Sequence, residues 1–293
     1  MLLSVLQANA AVLDVEANLR TVDRAARRAA RAGADLLLTP ELFPVGYAPL
    51  KVRAELDPAD LPAIRAELAD IAARNRIALV YSLPAEAEGK EGGSAQGQDW
   101  HISATLVDAA GAELLRYAKV HLFGGEERKA FVAAAEPPAV VTFKGVPTSL
   151  LICYDIEFPE AARAAAARGA ELLLVPTALS AGYEAVPEVL IRARALESQL
   201  NVAYANHCGN EDGYTFGGGS VVAGPDGGLL ARGGDGPELL FAQVDTETVR
   251  AAREEVPYLR ERRPELYKTW EAGLAGGTGT LREGPGAPRE DRA

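Results

Sequence analysis

The chain has 293 residues, 48% of them hydrophobic, and a formal net charge of −11. That balance supplies a sizeable core and argues against a nucleic-acid backbone or an anionic membrane as the main partner. Its two cysteines, Cys153 and Cys208, are too few for a disulfide framework and fit a reducing, cytoplasmic compartment.

The opening Met1-Leu2-Leu3-Ser4-Val5-Leu6-Gln7 lacks a basic leader and is too short an apolar run to span a bilayer, so 2–8 reads as a core strand. A helix is expected over 15–32, led in by Asp14, with Val15, Leu19, Val22 and Ala26 at helical spacing and Gly33 as its stop. A strand at 35–39 ends at Pro40-Glu41. A loop over 42–58, a helix over 61–75 and a strand over 77–81 follow, and 89–97 reads as a flexible surface loop. Strands at 100–107 and 113–117 flank the hairpin signal Asp108-Ala109-Ala110-Gly111. Residues 119–138 read as irregular, and strands at 140–143 and 147–152 pair around Lys144-Gly145.

Cys153 stands at the end of that last apolar run. Pro159-Glu160 then opens an alanine-rich helix to about 168, and a strand follows at 171–175. A helix from 187 to about 201 takes Val189, Leu190, Ala193, Leu196 and Leu200 as its apolar side. Strands at 202–206, 219–223, 229–231 and 239–244 come next, with a hairpin turn at Pro225-Asp226-Gly227. The charged segment 245–270 reads as a C-terminal arm that packs on another surface, a second subunit being one candidate. Residues 273–293, rich in glycine, proline and charge, read as a disordered tail. Helix–strand alternation giving way to hairpins implies a layered α/β fold with mixed sheets over residues 1–270.

The chain echoes itself: Arg31-Ala32-Gly33-Ala34-Asp35-Leu36-Leu37-Leu38-Thr39-Pro40 resembles Ala167-Arg168-Gly169-Ala170-Glu171-Leu172-Leu173-Leu174-Val175-Pro176. Two similar half-units would bring the strand ends at Glu41 and Thr177 together. Chance likeness of alanine- and leucine-rich segments is the alternative.

Three polar residues follow apolar strands, at the edge where α/β sheets place their sites. Cys153 lies on a strand–turn–helix junction, where nearby amides can lower a thiol pKa; a buried structural cysteine is the plainer reading. Glu41, beside Leu42, Phe43 and Tyr47, is a carboxylate whose desolvation suits a base; a cap or surface acid reads equally well. Lys119 could steady an oxyanion or simply be solvated. Adjacent residues on a strand face opposite ways, so His207 and Cys208 do not form the main dyad. His101 reads as structural.

Pro40-Glu41-Leu42-Phe43 with Gly46-Tyr47, Tyr117-Ala118-Lys119-Val120-His121-Leu122, and Cys153-Tyr154-Asp155 with Phe158-Pro159-Glu160, in that order, resemble the nitrilase superfamily of carbon–nitrogen hydrolases. The resemblance covers about 1–270 and extends to Pro176-Thr177-Ala178. It implies a four-layer αββα sandwich with two mixed sheets, extended across a homodimer or higher homo-oligomer. It also implies Glu41 as general base, Lys119 as oxyanion stabiliser, Cys153 as nucleophile and the Tyr154 amide in the oxyanion hole. Tyr47, Thr177 and Ala178 would line the substrate site. The family's second glutamate, followed four residues on by an aromatic, matches Glu127 with Phe131; Glu126 is the neighbouring alternative.

The resemblance points to an amidase that turns a small amide into carboxylate and ammonia through a cysteine thioester. A nitrilase, an N-carbamoyl-amine hydrolase and a catalytically silent binding protein are alternatives. The sequence shows no clustered metal-ligand spacing and no dinucleotide glycine fingerprint, so no metal or cofactor is expected.

Overall fold

A computed structural model of the protein describes residues 1–87 and 99–275. The expected loop at 89–97 and the tail beyond residue 275 lie outside the described residues, while Gly273 falls inside a helix, Pro264–Ala275.

Met1–Tyr258 forms one compact unit. Its first sheet joins β1 (Leu2–Gln7), β2 (Leu36–Leu38), β3 (Ala78–Glu86), β4 (Trp100–Val107), β5 (Glu113–Ala118) and β14 (Glu238–Gln243) in the order β14-β1-β2-β3-β4-β5. The second joins β6 (Val140–Phe143), β7 (Val146–Leu150), β8 (Leu172–Pro176), β9 (Asn201–Ala205), β12 (Val221–Ala223) and β13 (Leu229–Arg232) in the order β13-β12-β9-β8-β7-β6. A hairpin of β10 (Cys208–Glu211) and β11 (Tyr214–Gly217) stands apart. Each large sheet has three parallel central strands and antiparallel strands outside them. The sheets face one another through β1, β2 and β3 on one side and β8 and β9 on the other. Helices α1 (Val15–Arg31) and α3 (Leu61–Asn75) cover the first sheet, α5 (Pro159–Ala167) and α6 (Ile191–Ser198) the second. This is the expected four-layer sandwich with two mixed sheets.

The sequence echo is a structural repeat. At both helix ends the glycine takes a left-handed φ, +82° at Gly33 and +97° at Gly169. The residue after each glycine, Ala34 or Ala170, bonds back to the helix carbonyl of Ala29 or Ala165. β2 and β8 follow, each in the middle of its sheet. The Glu41 amide donates to the Thr177 carbonyl at 3.2 Å, so the two strand ends do meet.

Several elements differ from expectation. The loop over 42–58 contains a short helix, α2 (Pro49–Glu55), and the irregular stretch contains α4 (Gly124–Ala130). Each has seven residues, too few to show a periodic apolar face. β3 runs past Tyr81 through Pro84 because β2 reaches only to Val80, leaving a free edge that proline can occupy. Of the expected apolar side, Val189, in the turn before α6, and Leu196, on α6, are exposed and Leu200 is buried, whereas Ile191, Arg194 and Ala195 of α6 are buried. Arg194 turns inward because its guanidinium donates to the carbonyls of Ile156 and Glu157 at 2.9 and 2.6 Å. Within the expected arm, α7 (Thr246–Glu255) docks on its own chain through buried Val249 and through Arg253, which donates to the carbonyls of Gln199 and Ala170. Two further helices, α8 (Tyr258–Glu261) and α9 (Pro264–Ala275), follow. Among the described residues no helix is long and apolar enough to cross a membrane.

The loop after Glu41 doubles back through Gly46, whose φ is +77° and whose Cβ position would lie 2.6 Å from Val12 Cα. Gly33 has a similar φ of +82° but open space around it. Gly46→Ala is therefore expected to lower stability by about 2 kcal/mol or more, and Gly33→Ala by about 1 kcal/mol, in urea unfolding. Equal losses would show that the contact with Val12 does not constrain this loop.

Candidate active site

The site lies where β2, β5, β7 and β8 end. Glu41, Lys119, Cys153 and Ala178 each follow one of them within three residues. Lys119 is wholly buried, and its Nζ lies 2.8 Å from Glu41 Oε1 and 2.8 and 2.9 Å from the two Glu127 oxygens. Glu127 comes from α4 and reaches back to accept the Phe123 amide at 2.7 Å. Tyr47 OH donates to Glu127 Oε1 at 2.6 Å. Glu126, the sequence alternative, points outward and bonds to Tyr214 OH.

Cys153 has a left-handed φ of +46° at the start of a 3₁₀ turn, Cys153–Glu157. That conformation is disfavoured for a residue with a Cβ, and here it presents the sulfur beside the Glu41 carboxylate. The Ala178 amide also donates to the sulfur. Glu41 Oε2 is buried and accepts no hydrogen bond from the described residues, so it is free to take a proton. Thr177 acts through its main chain, which holds the Glu41 amide, while its hydroxyl bonds to Tyr204 OH at 3.0 Å.

Burial pushes the Glu41 pKa up to about 7, with Lys119 pulling it down and Glu127 adding to the rise. Burial works against the Lys119 charge, yet Glu41 and Glu127 outweigh it and hold that pKa above the ordinary lysine value. The Cys153 thiol is shifted well upward, by burial first and then by Glu41. This corrects the sequence expectation of a lowered thiol pKa: at rest the sulfur is a neutral thiol that needs a base. Among the described residues no group of three or more His, Cys, Asp or Glu could hold a metal ion.

The sequence profile described as carbon-nitrogen hydrolase matches residues 2–254. The chain belongs to the carbon–nitrogen hydrolase family. An amidase from Nesterenkonia sp. AN1, solved as a double mutant in complex with acrylamide, superposes with a TM-score of 0.84 at 45% identity, covering 92% of this chain and 97% of that one. A Pseudomonas protegens protein called "Hydrolase in pqqF 5'region" is 40% identical over 257 residues, 87% of this chain and 86% of its own. The human deaminated glutathione amidase is 31% identical over 275 residues, 87% of this chain and 80% of its own.

In this carbon–nitrogen hydrolase the residues that sequence reasoning left out are those that lock the lysine segment to the turn that carries Cys153. Asp155 is fully buried and accepts from Ile152 N (3.2 Å), Tyr117 OH (3.0 Å), His121 N (2.8 Å) and His121 Nδ1 (2.8 Å). It thereby ties the turn bearing Cys153 to the residues on either side of Lys119. Tyr117 and His121 flank Lys119 two residues away on either side, a symmetric spacing that could have suggested their shared partner. The His121 ring also stacks on Phe158, 4.0 Å between centroids.

Lys119→Met would leave Glu41 and Glu127 buried without their cation. It is expected to lose about 3 kcal/mol or more in urea unfolding at alkaline pH. The loss should shrink at mildly acidic pH, because a carboxyl whose folded pKa is raised destabilises when ionised and relaxes as it protonates. A pH-independent loss would contradict this.

Proposed function

We propose that this amidase acts on small uncharged amides, with Cys153 as nucleophile and Glu41 as the base that serves both half-reactions. The observation that carries the reading is the free, raised carboxylate Oε2 of Glu41 set against a buried neutral thiol. Glu41 takes the Sγ proton as sulfur attacks the amide carbon. The oxyanion rests against the Lys119 ammonium and the Tyr154 main-chain N–H. The intermediate collapses, the carbon–nitrogen bond breaks, and Glu41 returns its proton to the departing ammonia. A thioester to Cys153 is left. Glu41 then takes a proton from water, the hydroxide adds to the thioester, and collapse releases the carboxylic acid and the sulfur, which recovers its proton. Glu127 orients Lys119 and borders the substrate.

A cavity of about 110 Å³ that borders the site through Tyr47, Glu127 and Ala178, and is also lined by Phe123 and Tyr214, supports a small substrate. One water needs roughly 10–15 Å³ of such space, so there is room for an acyl group of a few heavy atoms. Its charged lining residues are Glu126 and Glu127. Arg128 and Lys129, the cations nearest in sequence, do not line it, and Arg128 donates instead to the Leu122 carbonyl at 2.9 Å. An amide bearing its own carboxylate would meet like charge there.

Ammonia release from acetamide and propionamide should exceed that from succinamate by about 100-fold or more in kcat/KM, and Cys153→Ala should abolish it. Preference for succinamate, for a nitrile or for a carbamoyl compound would contradict this reading. Because Glu41 must be ionised to act, kcat/KM should climb about tenfold per pH unit on the acid side and level off above about 7. Activity that stays flat through that range would remove Glu41 from the base role.

A further inference from the structure

The hairpin of β10 and β11 brings a second buried charge pair to the site, one that the reaction steps do not use. His207 is wholly buried and Glu211 is 2% exposed. His207 Nε2 lies 2.6 Å from the Glu41 main-chain oxygen, and Nδ1 lies 2.6 Å from Glu211 Oε1. A carbonyl oxygen can only accept, so Nε2 carries a proton. Glu211 in turn accepts the Ala10 amide on Oε1 at 2.7 Å and the Tyr47 amide on Oε2 at 3.0 Å, with Asn9 Nδ2 at 3.5 Å. Amide donors on both oxygens favour the ionised carboxylate. Nδ1 then faces an acceptor as well, and the ring donates from both nitrogens. Phe43 and Phe216 enclose it, with centroids 5.6 and 5.0 Å away.

We propose that His207, kept as a buried imidazolium by Glu211, is a positioning residue for the general base. The imidazolium grips the main chain at Glu41 while Glu211 grips it at Tyr47, the tyrosine that holds Glu127. One ion pair thus fixes both ends of the turn that carries the base. The clamp also joins the two halves of the fold, since the Cys208 amide next to it bonds to the Ala8 carbonyl at the end of β1. The role rests on Glu41 being the base of the proposed reaction.

Charge follows the same logic. The carboxylates facing His207 are Glu211 and Glu41. Burial opposes the imidazolium, but Glu211, the two hydrogen bonds and Glu41 lift the His207 pKa above its ordinary value. Burial opposes the Glu211 carboxylate too, yet His207 and the amide bonds bring its pKa below the usual range. The adjacent Cys208 thiol, pushed up to about 11 by burial and then by Glu211 and Glu238, stays neutral. The buried set therefore holds Glu41, Glu127 and Glu211 against Lys119 and His207. Neutralising His207 leaves three acids facing one cation, which would drive Glu41 toward its protonated, inactive form.

Two measurements test this. In protein labelled with 15N-histidine, both His207 ring nitrogens should resonate as protonated between about pH 6 and 8; comparison with His207→Gln assigns the signals. Separately, the pH dependence of Cys153 alkylation by iodoacetamide is compared in the wild type and in His207→Gln, whose amide can still donate to the Glu41 carbonyl but has no charge. The acid limb should move up by roughly one unit, slowing alkylation near neutrality roughly tenfold. Alkylation reads the Glu41–Cys153 pair whether or not any amide is turned over, so a shifted limb in a protein inactive on small amides would sink the substrate reading and leave the clamp standing. An unprotonated Nδ1 in the wild type overturns the proposal, as does an unmoved limb in folded His207→Gln. If that variant fails to fold, the wild-type nitrogen signals decide alone.

Discussion

The buried ammonium of Lys119, held between Glu41 and Glu127, is the contact on which the rest of the site depends. Three buried charges would be prohibitively destabilising singly, and they are tolerated because each lies within 2.9 Å of an opposite one. The arrangement is deliberately unfinished. Lys119 occupies one oxygen of Glu41 and leaves Oε2 unsatisfied, while the Cys153 side chain borders the same carboxylate. A fully satisfied Glu41 would be a poor base, and an unpaired one would stay protonated. The single shared contact keeps its pKa in the range where a proton can be taken and returned.

The fold is the means of bringing those groups together. Two similar half-units each deliver a central strand with a proline at or just past its end, and the sheets face each other so that the residues after those prolines meet through the Glu41 amide and the Thr177 carbonyl. One half contributes Glu41 and Lys119, the other the Cys153 sulfur and the Ala178 amide that borders it. The buried hydrogen bonds of Asp155 and of His207 then cross between segments distant in sequence and remove the remaining freedom. Precise placement of a carboxylate on a thiol thus comes from rigid strands and three buried polar clusters rather than from the mobile surface of a loop.

Much of this was legible in the sequence. The apolar runs that end in Pro40-Glu41, Tyr117-Ala118-Lys119 and Leu151-Ile152-Cys153 mark strand ends, and a polar residue at each is a local signal. The helices with long apolar stripes and the glycine turns at Gly33 and Gly169 were equally plain. The seven-residue helices α2 and α4 were not, since a single turn or two carries no readable period. Pro84 hid the length of β3, because whether a proline interrupts a strand depends on how far its neighbour extends. The inward face of α6 is not legible because a charged residue, Arg194, is drawn in by two carbonyls nearly forty residues away.

The electrostatic sense of the site was the least legible part. A cysteine before a helix suggests a thiol pKa lowered by amides, but depth of burial and the charge of Glu41 act the other way. Neither the depth nor the neighbour is encoded near residue 153. Asp155 was visible two residues after the cysteine, yet its partners Tyr117 and His121 are assembled only by the packing of the lysine segment against the turn. His207 likewise has no local mark, since its bond to the Glu41 carbonyl spans 166 residues.

The measurement that bears most directly on this account is mass spectrometry of the protein quenched in acid during turnover of propionamide. A propionyl group carried by the peptide that contains Cys153, and absent from that containing Cys208, is the expected result. Release of ammonia with no acyl group on Cys153, even when the quench precedes the first turnover's end, would contradict it.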